Sequence, residues 1–108
     1  MIPFVILELD KVYNLRFGMA AQVEFEQLTG MKLGALGKEL EKDPSMNIIS
    51  KVLWVMMKRE NKELTINQVY EIVDENADNL TEIVNAVTKA INAAWEVKNR
   101  PNAQVPKK

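Results

Sequence analysis

At 108 residues, 47% of them hydrophobic and 27% charged, the chain suits one soluble domain with a modest core. Lys and Arg total 14 against 15 Asp and Glu, leaving a net charge of −1, so nothing overall draws it to nucleic acid or to an anionic membrane. Cysteine and histidine are both absent, which excludes disulfides and thiolate metal sites and removes the commonest general base and transition-metal ligand.

Met1–Leu7 is apolar, but it lacks a basic leader, is too short for a signal peptide, and is followed by Glu8 and Asp10. Phe4–Leu9 is rich in β-branched and aromatic residues and predicts a strand. Asp10-Lys11 predicts a tight turn. In Val12–Phe17, residues Tyr13, Leu15 and Phe17 alternate with Asn14 and Arg16, so the two segments are expected to form an antiparallel hairpin. A lone hairpin is marginal in water, and the Tyr13/Leu15/Phe17 face must pack on helices or on another subunit.

Gly18–Thr29 predicts the first helix, with Ala21, Phe25 and Leu28 as its stripe, Met19, Ala20 and Val23 beside them, and Gly30 as a left-handed stop. Leu33–Lys42 predicts a weaker helix. Leu33, Leu36 and Leu40 have the right spacing, but Gly34 and Gly37 each cost about 1 kcal/mol relative to Ala.

Ser45–Asn61 is expected to be the central helix. Ile48, Ile49, Val52, Leu53, Met56 and Met57 hold one face, and Trp54 and Val55 widen it until the helix is apolar nearly all round. Asp43 or Ser45 can cap it, Pro44 suits a first turn, and Lys58-Arg59 complements its carboxyl end. Its longest apolar run, Val52–Met57, is far short of a membrane span.

Thr65 and Gln68 fit a capping box, with Leu64 stapling to Val69. The helix that follows is expected to bury Ile66, Val69, Tyr70 and Val73, and to end around Asn76–Asp78. Asn79 with Glu82 predicts a second box. Leu80, Ile83, Val84, Val87, Ile91, Ala94 and Trp95 then hold one face for about four turns. The expected core includes Phe17, Phe25, Leu53, Trp54, Val69, Ile83, Val87 and Trp95. The fold class is therefore mainly α: four to five helices with an N-terminal β-hairpin. Residues 1–98 are expected to form one domain, and 99–108, with Pro101 and Pro106, a flexible tail.

Catalytic chemistry is sparse. Glu24 and Glu26 are two apart and diverge on a helix. Glu71, Asp74, Glu75 and Asp78 share helical spacing, but a solvated acidic helix end is the simpler reading than a cation site. No glycine-rich phosphate loop occurs. The expectation is a protein with no catalytic residues, no cofactor and no metal. Six methionines, Met56 and Met57 among them, suit either a small core or a surface for varied apolar helices. On the second reading Val55, Met56 and Met57 are the candidate partner-binding residues, with Lys58 and Arg59 at the rim. The open hairpin edge and the apolar excess of Val52–Met57 also predict self-association.

The order of motifs resembles the tail assembly chaperones of long-tailed bacteriophages. A hairpin ends in Leu15-Arg16-Phe17, and Met19-Ala20-Ala21 opens an acidic helix containing Glu24 and Glu26 that ends in Leu28-Thr29-Gly30. Leu53-Trp54 and Lys58-Arg59-Glu60 mark the central helix. Leu64-Thr65 caps the helix carrying Val69, and Ile83, Val87 and Ala90 lie on the last. The likeness covers roughly Leu7–Val97, and the ordered set is more specific than any one motif. Many members carry a polar cap where this chain has Gly18.

The resemblance implies a non-enzymatic protein of phage or prophage. It would coat the helical tape-measure protein, keep it soluble, and bring tail-tube subunits to it. It would act in the cytoplasm of the bacterial host and be missing from the mature virion. In many phages a frameshift also yields a longer form. The alternatives are a small helical DNA-binding regulator, which would need a basic recognition helix, and a self-associating subunit of another assembly.

Overall fold

The computed structural model describes residues 2–99, and its hairpin shows how side-chain alternation selects register. Strands β1 (Val5–Glu8) and β2 (Val12–Leu15) pair antiparallel, Val5 opposite Leu15 and Glu8 opposite Val12. The turn holds three residues, Leu9–Lys11, closed by the Leu9 N–H donating to the Lys11 carbonyl at 2.9 Å, in place of the two-residue Asp10-Lys11 turn expected. A two-residue turn would set Leu9 against Val12 and Glu8 against Tyr13, turning Glu8 to the core face. The observed register sets Leu7 against Tyr13 instead, and both are buried. Leu15 and Phe17 complete this face, although Phe17 lies past the end of β2.

Helix α1 (Met19–Thr29) starts at an extended Gly18 with no side-chain cap; the Gln22 Nε2 instead donates to the Phe17 carbonyl at 2.9 Å. It stops at Gly30, whose φ of 76° is the left-handed conformation expected there. Only Ala21 and Phe25 are buried. Leu28, expected on the stripe, is exposed, because α1 rests mainly on one neighbour and one i, i+4 pair fills that contact. The Phe25 ring meets Phe17 edge-on, centroids 6.0 Å apart at 76°. Helix α2 (Leu33–Glu41) buries Leu33, Leu36 and Leu40, as its spacing predicts.

Helix α3 (Met46–Met57) is the centre. The Ser45 Oγ accepts from the Ile48 N–H at 3.1 Å, so Pro44 precedes the cap and is not in the first turn. Ile49, Ser50, Val52, Leu53, Val55, Met56 and Met57 are all buried. That burial follows from its neighbours, since β2, α1, α4 (Ile66–Glu75) and α5 (Leu80–Asn99) each pack against it; Asn47, Lys51 and Trp54 keep one face partly exposed. The helix is shorter than expected and gives way to tight turns, with Arg59 N–H donating to the Met56 carbonyl and Glu60 N–H to the Met57 carbonyl.

The Thr65/Gln68 capping box forms as expected. Thr65 Oγ1 accepts from the Gln68 N–H at 3.2 Å, and Gln68 Oε1 accepts from the Thr65 N–H at 2.9 Å. Only Val69 of α4 is fully buried. Ile66, Ile72 and Val73 pack at the margin, while Tyr70, expected inside, is exposed. Asn79 does not form the expected extended cap: it belongs to a 3-10 turn, Ala77–Asn79, that runs straight into α5.

The buried stripe of α5 is Ile83, Ala86, Val87, Ala90, Ile91 and Ala94. It is rotated toward the alanines, which suits a helix enclosed by α2, α3 and the hairpin. Trp95, expected in the core, and Leu80, expected on the same apolar face, are left at its edge. All the buried apolar residues form one cluster. The predicted tail lies outside the described residues except for Asn99, which belongs to α5. Among the described residues, no helix is long and apolar enough to cross a membrane.

Candidate functional site

The residues expected to meet a partner are placed differently from that expectation. Val55, Met56 and Met57 are 0%, 1% and 6% exposed, so they belong to the core and no partner reaches them in this conformation. Four surrounding elements absorb the apolar excess that suggested a binding face. Lys58 and Arg59 form a clamp instead of a rim. Both pair with the Glu24 carboxylate of α1: Lys58 Nζ with Oε2, and Arg59 Nη2 with Oε1 at 3.2 Å. Lys58 Nζ also lies 4.4 Å from the centre of the Trp54 ring.

Trp54, expected in the core, is only partly buried, and its indole has a specific job. Nε1 donates to the Leu64 carbonyl at 2.8 Å, tying the segment that caps α4 back onto α3. Trp95 is 45% exposed and stands beside α2. A Cβ at Gly34 would lie 3.7 Å from the Trp95 ring, an ordinary van der Waals contact, so the ring stands directly over that helix. One turn on, a Cβ at Gly37 would meet nothing within 4 Å.

These features line a groove of about 870 Å³ between α2 and α5. Leu33, Gly34, Gly37, Ile91 and Trp95 give it an apolar floor and wall; Lys32, Lys38, Glu26 and Glu41 supply charges of both signs at its edge. Glu26 thus faces this groove while Glu24 faces α3, the divergence that a spacing of two on a helix requires. An open groove between two helices, apolar within and charged at its edge, is the kind of surface that takes one face of an amphipathic helix.

The sequence signal for this groove was the pair Gly34 and Gly37. Read only as a propensity cost, the pair hides its geometric meaning: Gly34 lies under the Trp95 ring, and Gly37, three residues on, opens onto empty space. Trp95 was missed because its spacing from Ile91 puts it on the helical stripe, although at the stripe's edge.

Titratable chemistry is thin. Glu71, Asp74, Glu75 and Asp78 are all exposed, and no group of three or more acidic ligands is arranged to hold a metal ion among the described residues. The Tyr13 phenol is held above its ordinary pKa by burial and then by the Asp10 carboxylate, to which it donates a 3.4 Å hydrogen bond. No family model, no curated protein and no solved structure matches this chain.

Proposed function

We propose that this protein is a non-enzymatic tail assembly chaperone of a long-tailed phage or prophage. In this reading it binds amphipathic helical segments of the tape-measure protein in the α2/α5 groove and helps bring tail-tube subunits to them. It works in the cytoplasm of the bacterial host and leaves before the virion is complete. The observation that carries the reading is the groove itself, with Trp95 beside a floor of Gly34 and Gly37.

A tape-measure chain presents apolar helical stripes repeatedly along its length. A chaperone for it must accept many related helix faces, which a trough lined by backbone and one broad ring does better than a set of fitted pockets. The mixed rim, Lys32 and Lys38 with Glu26 and Glu41, favours a peptide of both charges over a polyanion. Glu24 occupies Lys58 and Arg59, which further weakens the DNA-binding alternative.

The test is co-expression with tape-measure fragments. The wild-type protein should keep helical fragments soluble. Gly37→Leu should abolish this without harming the fold, because its side chain enters open groove. Trp95→Ala should weaken it. If no fragment is rescued, or if Gly37→Leu rescues as well as wild type, the reading fails. Tight DNA binding that collapses with salt would favour the regulator.

A further inference from the structure

A second groove lies on the other side of α5. It holds about 420 Å³ and is lined by all four residues of β1, Val5 to Glu8, and by Glu82, Asn85, Ala86 and Lys89 of α5. The sheet has only two strands, so one edge of β1 has no strand partner among the described residues. β1 carries no Lys, Pro or bulge; what guards its edge is its four-residue length, the charge of Glu8 and the packing of α5 against it. Pro3 before it and the Leu9–Lys11 turn after it limit any added pairing to this short strand. Ile6 projects from the outer face at 59% exposure and Phe4 at 51%.

We propose that β1 and the Glu82–Lys89 face of α5 form a two-fold docking surface for a second copy of this chain, joining two hairpins into a four-stranded antiparallel sheet. The argument is self-complementarity, which a two-fold interface demands. Antiparallel pairing of β1 with itself must oppose residues of the same face. Centring the axis on Ile6 does so, setting Ile6 on Ile6, Val5 on Leu7 and Phe4 on Glu8 of the second copy. Arg16 lies 4.5 Å from the centre of the Phe4 ring, so a guanidinium waits at the end of the strand where the second copy's Glu8 arrives.

The helix obeys the same symmetry. Glu82 and Lys89 are exposed, two turns apart on one face, with Asn85 and Ala86 midway between them. A two-fold axis near Ala86 sets Glu82 of each copy against Lys89 of the other. Strand and helix line one groove, and the proposed dimer requires a single axis to serve both. No contact in the α2/α5 groove is involved, so this inference stands or falls separately from the functional reading.

The chain's lack of cysteine makes the test direct. Opposed residues on paired strands have Cβ atoms about 4.5–5.5 Å apart, close to the spacing a disulfide bridges. Under mild oxidation Ile6→Cys should form a covalent dimer, whereas Val12→Cys, similarly exposed but on β2, should not. In sedimentation, Glu82→Lys or Lys89→Glu alone should weaken dimerisation about tenfold or more, and the two changes together should restore it. The charge variants lie on the exposed face of α5 and keep the test valid if the Ile6 variant folds poorly. A strict monomer at every concentration would overturn the proposal. So would equal cross-linking at positions 6 and 12, or a dimer indifferent to the charge swaps.

Discussion

Met56→Ala separates a core role from a binding role for the central helix. Met56 is 1% exposed and sits on α3 where β2, α1, α4 and α5 all press inward. Removing its thioether arm loses transfer energy and leaves a cavity, and with rigid elements on every side the gap cannot collapse far. The expected loss is about 3 kcal/mol, within the range of about 2–5 kcal/mol for such truncations. A domain this small has a urea slope of about 1–1.5 kcal/mol per M, so the unfolding midpoint should fall by about 2–3 M at unchanged slope. Urea titration followed by circular dichroism measures this. Binding of a tape-measure fragment by the folded variant should stay close to wild type. A midpoint shift below about 0.5 M, with binding lost, would refute the reasoning and return Met56 to the surface.

Three further outcomes are expected. Gly30→Ala should destabilise by about 1–2 kcal/mol, because φ is 76° there and a Cβ is disfavoured in that conformation. Gly37→Ala should instead stabilise by about 0.4–1 kcal/mol, because a helical position gains a methyl in open space; chemical denaturation of both variants checks the contrast. Tyr13→Phe should change the alkaline limb of the stability curve. The Tyr13 pKa is raised above 10.0 in the folded protein, so the unfolded chain releases that proton first. The stabilising contribution of Tyr13 is therefore full below that pH and lost as pH rises through the folded value. The gap in stability between wild type and Tyr13→Phe should be flat around neutrality and shrink in alkali.

Much of the fold was legible because several signals agreed. The Thr65/Gln68 box, the Gly30 stop, the Tyr13/Leu15/Phe17 alternation and the Leu33/Leu36/Leu40 spacing each carry their own mechanism, and each formed. The placement of the wide aromatics did not follow from spacing. Trp95 and Tyr70 lie one step off the centre of their stripes, and only the positions of neighbouring helices decide whether such a residue is covered. The apolar excess of α3 had the same ambiguity. An over-apolar helix is either a binding face or a helix enclosed by its neighbours, and the packing of α1, α4, α5 and β2 encloses Val55, Met56 and Met57 while the Asn47, Lys51 and Trp54 face stays partly open. The candidate groove was hidden for a different reason: its opening lies at Gly37, where a missing side chain leaves no mark on an apolar spacing pattern.

The central claim is that a helical partner lies in the α2/α5 groove, and the two tryptophans make it directly measurable. Each gives one indole N–H signal in a nitrogen-correlated proton NMR spectrum. Titration with a soluble helical fragment of the tape-measure protein should shift the Trp95 indole and the backbone signals of residues 32–41. The Trp54 indole, bonded to the Leu64 carbonyl, should stay in place. A saturating interaction that moves Trp54 and the residues around Lys58 and leaves Trp95 unchanged would contradict the account, as would no shift at all.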